Sequence, residues 1–570
     1  MTAVRRWPAM IFVSLLATAA FAQTTQTTQT TTTEQTRRAT QPVTAETDQD
    51  LTNPNALRLS LQDALGTAMQ RNLGISLQSY DYRMAGESLR SQYGLFDWFS
   101  TGTFSQNSVK GAVTSQAQPS ESKTTTADIG VSQNLPAGGS YFLGFNNVRS
   151  TTVGGFTNIS PAYTPNLAFQ LTQPLLRNFG IDVTQRGILI ARNTLGINRE
   201  AFRQALMDST LSVEQAYLDL VYARRNVEVV KEALFLARDQ ARITQIRIDV
   251  GASAPLDILQ PRVQIATTEE QLISAVALVR SAEDRLRALM NLPFGDWDRP
   301  IIPTDPVQYT PIAIDMNTSV SRAMDLRPEL REAQLTIETR KVQYLYARNQ
   351  VRPQVDFQMN YRAAGVAGRE AIRDPVTGAV IGYNTTGYGT ALQQVFSNDF
   401  PTWTLGFQVG LPLTNIGARA EKRRAELDLD ASRVTEEQSR QNIVVQVRSA
   451  ARDVDTAART IVASRTAREA AEQNLEAERR RYENGMTTNF QVLQIQQQLS
   501  DARVRELQAL VGYNQAVANY HRQVGDTLEA HNIRTEEPAV SPEPRVFTVL
   551  QSYNWLNYDK NKQPQEGTQK

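Results

Sequence analysis

The 570-residue chain carries 59 lysines and arginines against 58 aspartates and glutamates, interspersed along its length, a balance that argues against a nucleic-acid partner. It has no cysteine, which removes disulfides, thiolate metal sites, a cysteine nucleophile and an N-terminal lipoprotein anchor together. With only His521 and His531 as imidazoles and no G-x-S-x-G elbow, G-x-G-x-x-G turn or Walker-type loop, neither an enzyme nor a cofactor-binding protein is expected.

Residues 1–22 hold Arg5 and Arg6, an apolar run from Ala9 to Ala20 and the triplet Ala20-Phe21-Ala22, the pattern of a secretory signal peptide cleaved before Gln23. No later window approaches the ~18 apolar residues of a spanning helix, so any entry into a membrane must be made by strands. Residues 23–56 are Thr/Gln-rich and poor in apolar side chains, and read as a flexible N-terminus.

A first unit follows over 57–291. Residues 59–93 have a helical pattern running into Gly94, and a strand-rich zone covers about 96–174, with polar loops near 109–124 and 151–164. Inside that zone, Ala127 to Gln133, the turn Leu135-Pro136-Ala137-Gly138-Gly139, and Tyr141 to Val148 read as an additional hairpin. It either extends a barrel or folds as an extracellular or equatorial elaboration. A continuous helix over about 183–250 would be ~100 Å long. Val213, Tyr217, Leu220, Val227, Val230 and Leu234 form its coiled-coil seam. Gly251 sits where this helix should stop, and Ser253 with Pro255 offers a start for a returning helix to 291.

The linker 292–316 contains Pro293, Pro300, Pro303, Pro306 and Pro311 and cannot continue either helix. A second unit, 317–533, then repeats the order: a helix over 317–350 ending before Pro353, strands over 354–412, and a helical hairpin over about 418–530 that turns at Gly485. Val355, Phe357, Met359 and Tyr361 alternate, as do Leu405, Phe407 and Val409; between them runs a polar loop near 363–400. Phe96, Trp98, Phe99, Phe400 and Trp403 are candidates for an interfacial girdle. The tail 534–570 is polar and reads as loosely attached, with Val546 to Trp555 a segment able to dock.

The two units match in order. Phe169-Gln170-Leu171-Thr172-Gln173-Pro174-Leu175 answers Phe407-Gln408-Val409-Gly410-Leu411-Pro412-Leu413 at an offset of 238, and the stretch Gly251 to Gln260 answers Gly485 to Gln494 at 234. Upstream, Ala68-Met69 answers Ala323-Met324 at 255. Two main strands per unit cannot close a barrel, which needs about eight, so a pore demands several copies around one axis.

On these residues the chain resembles the TolC-type outer-membrane efflux proteins over about 57–533. The resemblance implies an internally duplicated fold that joins an α-helical coiled-coil tunnel to transmembrane β-barrel strands. It also implies a homotrimer with a twelve-strand barrel in outer-membrane lipid, the helices crossing the periplasm to dock a periplasmic adaptor and an inner-membrane transporter. The implied function is a passive exit duct for efflux or type I secretion, with no cofactor. Carried over by motif, Gly251 and Gly485 match the adaptor-docking tip glycines, and Asp257 and Tyr482 match a pair that holds neighbouring helices shut. Gln491 and Gln494 stand where other members place acidic constriction residues, and Thr487 replaces a basic residue expected after the second tip glycine. Asp257, Tyr482, Gln491 and Gln494 are thus the expected periplasmic gate. The competing readings are a periplasmic adaptor, which would carry one hairpin between compact β-domains, and a secreted enzyme.

Overall fold

The structure is a computed structural model that describes residues 55–115, 118–155, 157–534 and 536–544. The signal peptide, nearly all of the Thr/Gln-rich segment and Val546 to Trp555 lie outside the described residues.

Strand β1 (Leu57–Leu59) leads into helices α1 (Leu61–Arg71) and α2 (Leu73–Tyr93). The single helix expected over 59–93 is broken at Asn72, whose extended backbone and side-chain oxygen cap α2 by accepting the N–H groups of Gly74 and Ile75. Five strands follow: β2 (Phe99–Lys110), β3 (Glu121–Asn134), β4 (Ser140–Val153), β5 (Ile159–Tyr163) and β6 (Asn166–Pro174). The first hairpin is α3 (Arg186–Asp249) and α4 (Leu259–Met290), after which β7 (Ile301–Pro303) pairs in parallel with β1. In the second unit α5 (Met316–Leu326) and α6 (Pro328–Gln350) are broken where α1 and α2 are, here because Pro328 drives Arg327 out of the helical region. Then come β8 (Gln354–Ala364), β9 (Ala367–Arg373), β10 (Val380–Thr385), α7 (Tyr388–Ser397), β11 (Phe400–Gly410), and the second hairpin, α8 (Ile416–Glu483) and α9 (Asn489–Val524).

The 64 residues of α3 span about 96 Å at 1.5 Å per residue, and the 68 of α8 slightly more. Their apolar faces bury Val213, Tyr217 and Leu220 against Leu272 and Leu286 in the first hairpin, and Val447, Val454 and Ile461 against Tyr513 and Tyr520 in the second. α3 also packs on α9, which sets the two hairpins side by side. None of these helices is long and apolar enough to cross a membrane.

Among the described residues nine strands make one sheet. Its main path runs β2-β3-β4-β6-β8-β11, all antiparallel, and a branch from the upper part of β4 carries β5, β9 and β10. The pairing register separates the two faces. Trp403, Leu405, Phe407 and Val409 lie opposite Tyr361, Met359, Phe357 and Val355, while Thr404 and Gln408 on the other face lie opposite Asn360 and Asp356. An apolar outer face and a polar inner face are what a barrel wall in lipid requires. The segment read from the sequence as an additional hairpin spans parts of β3 and β4, which belong to this sheet and are hydrogen-bonded to each other along their whole length. The first strand zone therefore gives the main path four strands, β2, β3, β4 and β6, where the second gives two, β8 and β11.

The tail departs from expectation. Over 536–544 it lies along α2 and α3: Arg199 pairs with Glu537, Val540 fills the space over Gly86, Ser541 donates to Glu87, and Glu543 takes a hydrogen bond from Tyr93 and an ion pair from Arg192. A polar composition marked it as loose, but its acids meet two arginines of α3.

Candidate functional site at the helical tips

Both long helices end in the same geometry. At the end of α3, Gly251 has φ 73°, its N–H reaches the Ile248 carbonyl at 2.9 Å, and the Ala252 N–H reaches Arg247 at 2.7 Å. At the end of α8, Gly485 has φ 72°, its N–H reaches Tyr482 at 3.0 Å, and Met486 reaches Arg481 at 2.9 Å. These are Schellman caps, which satisfy the last carbonyls of a helix with one left-handed residue. A Cβ at either glycine would meet nothing within 4 Å, so the backbone conformation and not crowding calls for glycine.

The returning chains differ. In the first tip Pro255–Ile258 forms a 3-10 turn in which an Asp257 carboxylate oxygen accepts the Ala254 N–H at 3.1 Å. In the second, α9 starts at Asn489 after an extended Thr488. Tyr482 is buried among Leu475, Val492, Ile495 and Leu499 of its own hairpin and Ile243 of the other. The Arg247 guanidinium lies 4.6 Å from the centre of its ring and donates to the Tyr482 carbonyl at 2.8 Å. Gln240 donates to the Asn489 side-chain oxygen at 2.7 Å in a buried contact, and Gln264 donates to Gln497 at 3.0 Å. The tips are thereby joined across the two units.

Of the residues read from the sequence, Gly251 and Gly485 cap the two tips side by side. Asp257 and Tyr482 share no hydrogen bond within the chain: the carboxylate is held by its own turn and the tyrosine ring by Arg247. Gln491 and Gln494 are both exposed, about one turn apart on α9, beside buried Val492, Leu493 and Ile495. Thr487 donates its hydroxyl to the buried Glu478 carboxylate at 2.5 Å, which Arg481 approaches at 3.5 Å. A neutral hydroxyl thus stands at the position where a basic residue is expected, and its partner is an acid of its own hairpin.

Sequence reasoning missed Arg247, Gln240 and Asn489, because nothing in a linear pattern shows that residues about 240 positions apart meet. It also missed a collar of apolar side chains. Val250, Leu256, Met486 and Phe490, all flanking the tip glycines, are each more than half exposed. These were visible as apolar residues beside a turn.

A second polar cluster lies nearer the middle of the molecule. Arg522 of α9 pairs with Asp208 of α3 and, at 3.3 Å, with Glu329 of α6, which Arg327 also holds at 2.7 Å. Burial tends to raise Glu329, but the two arginines outweigh it and its carboxyl lies below the ordinary value. One turn on, Glu332 has no such partner; burial, with Glu329 and Glu200 close by, pushes it up to about 7.

A family model described as outer membrane efflux protein matches residues 140–292 and 319–525, once in each unit and over more than half of the chain. The chain belongs to the outer membrane efflux protein family. Among solved structures it is similar to CusC (15% identity, 82% of this chain and 92% of that chain, TM-score 0.59). It is also similar to the CmeC outer membrane channel of Campylobacter jejuni (15%, 84% and 87%, 0.59) and to VceC of Vibrio cholerae (14%, 82% and 96%, 0.58). At such identities the likeness establishes the fold. No curated protein sequence matches the chain. As an outer membrane efflux channel the protein places its sheet in the outer membrane and its helical tunnel in the periplasm. The adaptor reading, one hairpin between β-domains, does not fit a chain with two matched hairpins rising into one sheet. Nor does the family consist of enzymes.

Proposed function

We propose that three copies of the chain form the exit duct of a tripartite efflux system, docked at the tips by a periplasmic adaptor and supplied by an inner-membrane transporter that provides the motive force. The supporting observation is the tip collar: Val250, Leu256, Met486 and Phe490 stand exposed around two glycine caps that leave the backbone uncovered. Exposed apolar side chains around a bare turn suit the knobs-into-holes contact of another protein's helices. Gln491 and Gln494 form the narrowing of the closed tip, and being uncharged they confer little preference for cations. Asp257 and Tyr482 serve the closed state by fixing the shape of each tip, Asp257 as a turn cap and Tyr482 as the ring on which Arg247 stacks.

Purified protein in planar bilayers tests this reading. Trimers with a low closed-state conductance are expected, and Gln491→Asp with Gln494→Asp should shift the reversal potential toward cation preference. Leu256→Asp with Phe490→Asp should abolish adaptor-dependent export while leaving the bilayer conductance unchanged. A protein that stays monomeric and conducts nothing would overturn the proposal.

A further inference from the structure

The two units share a plan of helices, strands and hairpin, yet the first sends four strands along the main path of the sheet and the second sends two. The added pair, β2 and β3, lies outside the family match, which begins at residue 140 with β4. We infer that β2 and β3 are additional staves of the barrel wall, so that β2 of one copy pairs with β11 of the next and three copies close as eighteen strands. This inference rests on the trimeric channel proposed above.

Three observations carry it. First, β2 and β11 are the two ends of the main path, 12 and 11 residues long, and among the described residues neither has a strand on its outer edge. β2 is exposed along its whole length, and an unpaired edge of that length in lipid leaves its backbone donors and acceptors unsatisfied. β2 ascends from the helical end as β11 descends toward it, so joining them continues the antiparallel alternation.

Second, the faces stay in phase. The pairing register carries the face of β8 that bears Asp356, Gln358 and Asn360 through Gln170 and Thr172 of β6, Ser140, Phe142 and Gly144 of β4, and Gly130 and Ser132 of β3 to Phe99, Thr101 and Thr103 of β2; apart from Phe142, which lies over Gly130 and Gly144, and Phe99 at the foot of β2, these residues are polar or small.

Third, the apolar band climbs steadily. The row of paired residues through Trp403 holds Tyr361, Phe169, Leu143, Val131 and Ser100. On β11 the apolar run lies on the helical side of this row, at Leu405, Phe407 and Val409; on β6 and β4 it straddles the row; on β3 and β2 it lies on the far side, at Ile129, Ala127 and Phe104. A progressive stagger of this kind is what tilted strands need if a level lipid band is to encircle a closed barrel. β2 and β3 continue the stagger, as wall strands would and a surface ornament need not. Trp98, stacked edge-on to Tyr141 at 6.0 Å, marks the helical-side border of the band on these strands.

Eighteen strands put the wall in the size range that leaves an open aqueous channel, wider than the twelve-strand barrel implied by resemblance. The absence of cysteine in the chain makes a clean test possible. Thr103→Cys is combined in turn with Thr402→Cys, Thr404→Cys and Gln408→Cys, and membranes are oxidised. Covalent dimers and trimers from at least one pair are expected. The competing pair Asn146→Cys with Thr404→Cys, which would join only if β4 were the edge, should give none. Trimers that conduct but form the second cross-link and not the first overturn the inference and leave the channel reading standing. Deletion of 99–134 provides the independent measure: conducting trimers with a narrower cut-off for neutral polymers entering the extracellular mouth support it, and conducting trimers with an unchanged cut-off refute it.

Discussion

The helical hairpins of the two units correspond residue for residue, while the strands above them do not. At the constant offset of 234, Val213 and Val447 are both fully buried, Gly251 and Gly485 share one backbone conformation, and the left-handed cap Asn291 answers the left-handed Gly525. Between the upstream helices and the last strand, however, the offset falls from 255 to 238, a net 17 residues more in the first unit, so the two strand zones differ in length as well as in strand number. Hairpins packed side by side in a tunnel have no room for an inserted residue, because one insertion would rotate every later side chain off the seam. A sheet accepts a whole strand pair at little cost, since each strand brings its own hydrogen-bonding partner and preserves the two faces.

Within the matched hairpins the chemistry has diverged. At the base of the first, Glu283 is buried between Arg224 at 2.7 Å and Arg287 at 3.0 Å and also accepts the Ile301 N–H, fixing the linker. The equivalent positions of the second are Ala458, Val517 and His521, and Val517 packs against an apolar core. Nearer the tips one ion pair is reversed: Arg238 to Glu269 at 2.7 Å in the first hairpin, Glu472 to Arg503 at 3.1 Å in the second. Arg503 additionally reaches Glu232 of the first hairpin at 2.7 Å, so the reversal ties the units together.

The largest effect should come from breaking the ionic base. Glu283→Ala leaves two arginines without their shared acid and should cost about 3 to 5 kcal/mol, against about 1 kcal/mol for Val517→Ala at the equivalent site. Denaturant unfolding followed by circular dichroism reads both, and equal costs would mean that the two bases are energetically alike despite their chemistry.

The tips should respond alike. Gly251→Ala and Gly485→Ala each place a Cβ in a left-handed conformation with free space around it, and each should cost about 1 to 2 kcal/mol by the same assay.

A difference in pH response should distinguish the upstream helices. Glu332, raised to about 7, answers Leu77 in the first unit. The native state holds a proton there that the unfolded chain, titrating near 4.5, has released. The stability due to it is complete below about pH 4.5 and is lost as pH rises through about 7. Glu332→Gln should flatten that part of the stability profile, and a variant with the parent's slope would show that another group carries it.

The smallest effect is expected at the reversed pair. Arg238→Glu alone should cost up to about 1 kcal/mol, and adding Glu269→Arg should restore it, because the pair is about half exposed and screened. Arg503→Glu should cost more, having two acidic partners and less solvent.

Both long rods, their glycine caps and the apolar seam were readable in the chain, since each depends on local periodicity and on a single residue's backbone freedom. Neither helix break was read from the chain: 317–350 was expected as one helix although Pro328 stands inside it, and the break at Asn72 has no such marker, because asparagine caps only when its side chain is free to turn back on the next turn. Gln491 and Gln494 were singled out by the resemblance alone; the burial of Tyr482 under Arg247 was not legible, as it arises from two hairpins meeting.

Sequence alone determined that the chain is a duplicated pair of helical hairpins with alternating strands, because hydrophobic period and capping residues act over a few positions. Tertiary structure alone decided which strands share the main path of the sheet, where the tail runs and which acids lose their proton. Those outcomes depend on register, burial and charges brought together from distant parts of the chain, and no local pattern records them.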